Sequence, residues 1–317
     1  MSSRYWQPTE GATVSSVPGE AGAAQSGGRY GEVFDRGYQH YEGRREGRAH
    51  AVRALTWYSV RRALGVKKRW TAKIIPIFLY AASFLPVAVI IGIRALVGPV
   101  AEGFNYSTLY IALSPLLLIF AAAAAPEMLC DDRRENVLPL YFSRAITRGD
   151  YLFAKIAALG ILLGSIAILP PLLLFIGNVL LADSPLTYLR EQPDEVGRIL
   201  ATGTLLSIFY AAIGLVIASF TARKGVAAAI YIGFITIETA IVQALASAIT
   251  ASWRDFLDLI SLADVPDRII NWIFGGATAV GSPPIGTPLQ GWLYLLVVAA
   301  VAAICGVVMY QRYLAED

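Results

Sequence analysis

Six apolar runs, at 73–93, 106–125, 151–181, 199–220, 226–249 and 292–310, limit what this chain can fold into more than any other feature. At about 1.5 Å per helical residue, each is long enough to cross a hydrocarbon layer of about 30 Å. Hydrocarbon offers no partner to a free N–H or C=O, so a spanning run must be a helix that satisfies its own backbone. The expected fold is an all-α polytopic membrane protein with six transmembrane helices. Composition agrees: 56% of the 317 residues are hydrophobic and 15% are charged, against about 25% charged in a soluble domain.

Between the second and third runs lies a dense charged block that opens Glu127, Asp131, Asp132, Arg133, Arg134 and Glu135 and ends near Arg144. A charge at the bilayer centre costs roughly 3 kcal/mol, so the block belongs at one face of the membrane. It also holds Leu138, Leu140, Tyr141 and Phe142, which a purely solvated loop would not need. A docking surface would use both kinds: a packed apolar ridge for contact, and flanking charges for register. With the N-terminus inside, 21 of the 26 Lys and Arg fall on the inner side. This bias puts both termini and the block in the cytoplasm, in a multi-pass protein of the cell membrane. The basic residues flank apolar spans, where the membrane surface accounts for them, so no nucleic-acid partner is expected.

The flanking segments divide the rest. Residues 1–48 form a cytoplasmic tail, expected to be disordered in its first part and extended where Arg, Gly and aromatics alternate. The first long apolar run follows that polar tail, so no secretory signal is expected. Residues 49–72 read as an interfacial helix with Ala54, Trp57, Val60 and Leu64 on one side and many cations nearby. The six-span domain occupies 73–317. Within it 252–290 is too interrupted to span and too apolar for a free loop, and short re-entrant helices on the outer side fit it best. Pro170 and Pro171 should kink the third span. Thr147 and Asp150 have the spacing of a capping box at its start.

Chemical motifs are few. No phosphate-binding G-x-x-x-x-G-K-[ST] loop occurs. The two histidines lie in the N-terminal region, and the two cysteines, Cys130 and Cys305, are expected to be free. No catalytic, cofactor or metal site is expected in this chain. Glu238 lies near the middle of the fifth span. Such a carboxyl either packs with its hydrogen bonds made or lines a cavity. Asn178 and Gln243 are weaker candidates of the same kind.

The block 127–155, with its run Asn-Val-Leu-Pro-Leu-Tyr-Phe-Ser-Arg ending at Arg144 and Lys155 leading the third span, resembles the first cytoplasmic loop of the ATP-binding-cassette exporter permeases of the six-span, type-2 class. The helix before the first span and the short helices before the last are similar to that family's connecting and re-entrant helices. Ala145 stands where many members have Pro. The resemblance implies a permease subunit whose 126–150 loop is a coupling element docked on a separate ATPase. ATP and Mg would be bound in that subunit, and two permease chains, expected to be identical, would form the pathway. The competing readings are a secondary transporter or channel using Glu238, and a membrane anchor that transports nothing.

Overall fold

The computed structural model describes residues 47–66, 69–97, 105–137, 141, 146–182, 184–248, 256–275 and 290–314. The tail, and Leu138, Leu140, Phe142 and Arg144 of the charged block, lie outside the described residues, as do 252–255 and 276–289 of the segment before the last span. Among the described residues all regular structure is helical: α1 (Arg48–Ala63), α2 (Trp70–Val97), α3 (Tyr106–Arg134), α4 (Arg148–Leu181), α5 (Pro185–Glu191), α6 (Glu195–Phe220), α7 (Lys224–Ala248), α8 (Leu257–Ile260), α9 (Asp264–Phe274) and α10 (Gly291–Leu314). Six of these, α2, α3, α4, α6, α7 and α10, are long and apolar enough to cross a membrane.

The spans divide into an inner and an outer set. In their most apolar stretches α3, α4 and α6 are 56%, 50% and 61% buried, while α2, α7 and α10 are 22%, 22% and 17% buried. The outer three expose large apolar side chains such as Phe78, Leu85, Ile237 and Ile304. Water would not tolerate that much contiguous apolar surface, and lipid or another apolar chain would. At the centre α4 and α6 approach closely. A Cβ at Gly203 of α6 would strike the Ile168 side chain and come within 3.1 Å of the Ala167 carbonyl of α4. A small residue at this point lets the two backbones meet where no water-driven force brings them together.

Some boundaries differ from the sequence expectation and others match it. α3 continues nine residues past Ala125, so the first part of the charged block is helix. It stops where Asn136 takes a left-handed φ of 50° and the Val137 N–H reaches back to the Asp132 carbonyl, 3.2 Å away. That is a C-terminal cap for which Asn is suited. α4 runs through Pro170 and Pro171 as one helix. Its start carries the capping box: the Asp150 N–H donates to Thr147 Oγ1 (3.2 Å), and the Thr147 N–H donates to Asp150 Oδ2 (3.1 Å). α1 packs against α4 and α3. It buries Leu55, Ser59, Val60 and Ala63 and leaves Trp57 exposed. The buried stripe is thus rotated from the one expected, because Arg62 on that side reaches two carboxylates of α3.

Candidate functional site

Successive spans reverse direction, which gathers one set of helix ends into a single charged cluster. Asp132, near the end of α3, is fully buried. Its carboxylate receives Arg62 Nη1 at 2.6 Å from α1, Lys155 Nζ at 2.7 Å from α4, and the Tyr151 hydroxyl at 2.9 Å. Lys155 is also fully buried, and it donates to the Met128 carbonyl at 3.0 Å. Its Nζ stands 5.1 Å from the centre of the Tyr151 ring. Two cations and a hydroxyl thus occupy the acceptor positions of one carboxylate, which a buried charge requires.

Asp131 faces inward as well. It pairs with Arg62 Nη2 at 2.8 Å and with Lys224 Nζ, at the start of α7, at 2.6 Å. Lys224 bridges on to Glu127 at 2.8 Å. Burial opposes the charge on Arg62, but the hydrogen bond to Asp131 and the fields of both aspartates outweigh it and raise its pKa above the ordinary arginine value. Arg133 and Arg312 of α10 both donate to the Ser219 carbonyl at the end of α6, Arg312 at 2.7 Å. The last carbonyls of a helix lack intrahelical partners and carry partial negative charge, so cations settle there. Cys130 Sγ lies 3.3 Å from the Thr221 carbonyl of the same terminus, and both cysteines are free. At the edge of the cluster Arg48 clasps Asp150 at 2.7 and 2.8 Å, which raises the pKa of Arg48. The result is an ionic lock that joins α1, α3, α4 and α7, with α6 and α10 held beside it.

Of the charges singled out in the sequence, Glu127, Asp131, Asp132 and Arg133 therefore bind other parts of this chain. The side chains of Arg134 and Glu135 are 63% and 53% exposed. Tyr141 is half-buried, its ring 5.9 Å from that of Tyr151. Residues 19–317 match the family described as ABC-2 family transporter protein. The chain belongs to that family. No curated protein matches it. It is a multi-pass membrane protein, the permease component of an ABC transporter, and the family implies an ABC ATPase as its partner.

The permease has a second polar site at the opposite helix ends. Arg94 of α2 donates to Asn178 Oδ1 of α4, and Asn178 Nδ2 donates to the Tyr106 hydroxyl of α3 at 3.0 Å. The Tyr106 hydroxyl in turn lies within hydrogen-bonding reach of Glu195, at the start of α6. Asn178 thereby lines a polar cleft of ≈ 410 Å³. The cleft is closed on one side by Phe274 of α9, which stacks on Tyr106 and Tyr110 at 5.9 and 5.6 Å.

Glu238 and Gln243 of α7 both reach the segment around α9. The Leu262 N–H donates to the Glu238 carboxylate at 3.2 Å. Gln243 Nε2 lies 3.4 Å from Asp264 Oδ2, which also accepts from the Ser261 hydroxyl at 2.6 Å. The sequence reading overlooked Arg62, Lys224 and Glu195 as members of these sites. Lys155 carried the clearest signal, since a cation several residues into an apolar run needs an anion at the same depth.

Proposed function

We propose that this permease is the membrane-spanning half of an exporter that carries a hydrophobic or amphipathic substrate out across the cell membrane. Both termini and the 126–150 segment lie in the cytoplasm in this reading. ATP and Mg are bound by a separate ATPase subunit, and two copies of the chain form the pathway. One observation carries the proposal: the last turns of α3, which open the 126–150 segment, are ion-paired at once to α1, α4 and α7. A displacement applied there is passed to four helices together, because pulling one buried ion from its partner strands a charge.

Asp131 and Asp132 act in this scheme as links inside the chain. Docking falls to the side chains that the lock leaves facing outward. Glu135 lines a cleft of ≈ 480 Å³ with Trp57, Tyr58 and Arg61 of α1, and the two aromatics are exposed. Aromatic anchors ringed by charges are the usual hot spots of protein interfaces, each worth about 2 kcal/mol or more. Trp57→Ala and Tyr141→Ala are therefore expected to weaken ATPase co-purification, and to uncouple hydrolysis from transport in reconstituted vesicles, more than Arg134→Ala does. Joint alanine substitution of Trp57, Arg134, Glu135 and Tyr141 that leaves association and coupled hydrolysis intact, in folded protein, would refute the docking assignment.

A further inference from the structure

A cavity of ≈ 240 Å³ lies beside the lock, between α1, α2, α3 and α7. Arg62, Glu127 and Lys224 form its polar wall, and Ile75, Leu79 and Phe120 its apolar wall. Leu79 and Phe120 are buried, whereas Ile75 is 55% exposed. The cavity thus reaches the surface of the outer span α2, at the same end as the lock.

Two prolines supply its acceptors. Pro76 of α2 and Pro126 of α3 both line the cavity, and so do Ala72 and Ala122, each four residues before a proline and on the same helix face. Proline has no N–H, so the carbonyl four residues earlier loses its helical donor. No donor outside the helix reaches either carbonyl among the described residues. The Ala72 oxygen abuts Gly65, another lining residue, on which a Cβ would stand 3.0 Å from it. Hydrocarbon cannot satisfy such a group, and a ligand with a donor can. The charges around the cavity select against an ion, because Arg62, Lys155 and Lys224 are matched by Glu127, Asp131 and Asp132. Lys224 directs two of its three N–H groups to Asp131 and Glu127, which leaves the third for an acceptor. A neutral group that both gives to carbonyls and takes from an ammonium is a hydroxyl.

We infer that this cavity binds a neutral amphiphile with a hydroxyl headgroup, of the acylglycerol class, drawn from the adjacent leaflet. Its hydroxyls donate to the Ala72 and Ala122 carbonyls and accept from Lys224, and its chain lies along Leu79 and leaves past Ile75. The site does not require that this amphiphile be the transported cargo.

The test uses the full chain in phosphatidylcholine nanodiscs, whose lipid has no hydroxyl to compete. Four diazirine probes of equal chain length are compared: a monoacylglycerol, its dimethyl ether, a fatty acid and a fatty amine, with labelled peptides mapped by mass spectrometry. On wild-type protein the monoacylglycerol should label the stretches around Leu79 and Phe120 about tenfold more efficiently than the ether, which accepts hydrogen bonds and donates none. The double variant Pro76→Ala/Pro126→Ala returns both missing N–H groups to the helices. It should bring the monoacylglycerol down to the level of the ether and leave the ether unchanged. Ala228→Phe, which fills the cavity from α7, should abolish labelling there by both. If the variants do not fold, the comparison of monoacylglycerol with ether decides on the wild-type protein. Equal labelling by those two probes, a preference that survives the double proline variant, labelling that survives Ala228→Phe, or stronger labelling by the acid or the amine would each overturn the inference.

Discussion

Asp132 and Lys155 are both fully buried and stand 2.7 Å apart, with Arg62 and Tyr151 completing the carboxylate's partners. Breaking such a pair strands a charge without a counter-ion and costs on the order of 3 kcal/mol or more, whereas removing both charges can be nearly neutral. Asp132→Asn and Lys155→Met should each lower the thermal unfolding midpoint in detergent. The double variant should lose less than the sum of the two. Strictly additive losses would mean that the two groups are not coupled, and the lock would lose its central link. Asp131 differs in degree, since its partner Lys224 is 29% exposed and water can replace part of that contact. Asp131→Asn is therefore expected to be milder than Asp132→Asn in the same measurement.

At the scale of elements, α7 reaches the α8–α9 segment through the Glu238 carboxylate as well as through Gln243 and Asp264. Glu238 accepts the Leu262 N–H just ahead of α9, and α9 buries Val265, Ile269 and Ile270. Glu238→Gln keeps an acceptor at this place, and Glu238→Ala does not. The alanine variant should thus show faster amide hydrogen exchange at Leu262 and in the first turn of α9, while the glutamine variant stays near wild type. If the glutamine variant exchanges like wild type yet abolishes transport, Glu238 acts on an ion or substrate and its charge matters beyond the latch. α3 teaches a related point about boundaries. Its apolar run ends at Ala125, but the helix runs to Arg134 because Asp131 and Asp132 find cations on other helices and need no water. An end judged by hydropathy marks where hydrocarbon stops, and a helix continues for as long as its side chains find partners.

For the molecule as a whole, the lock gathers the ends of α1, α3, α6 and α10 with the starts of α4 and α7, so α1 and the end of α10 share one side. In the proposed topology that side is the cytoplasmic one. In a background lacking Cys130 and Cys305, a cysteine replacing the exposed Glu135 should react with an impermeant maleimide only after the membrane is opened. One replacing the exposed Arg190 of α5 should react in intact cells. The reverse pattern would invert the topology and with it the cytoplasmic position of the lock.

The six spans were legible along the chain, because hydrophobic length is a local property that each segment carries alone. So was the start of α4, where Thr147 and Asp150 satisfy each other within four residues. Which charges face inward depends on how the helices pack. Asp131 and Asp132 look no different along the chain from Arg134 and Glu135, and their partners lie 70 residues back at Arg62 and far forward at Lys224. The roles of Asn178 and Glu238 were hidden in the same way, since a buried polar group takes its meaning from the donor that reaches it. Here those donors come from other helices or from the backbone of a distant turn. Hydropathy is summed along the chain, whereas ion pairs and hydrogen bonds act within about 3 Å and depend on which helices the fold brings side by side.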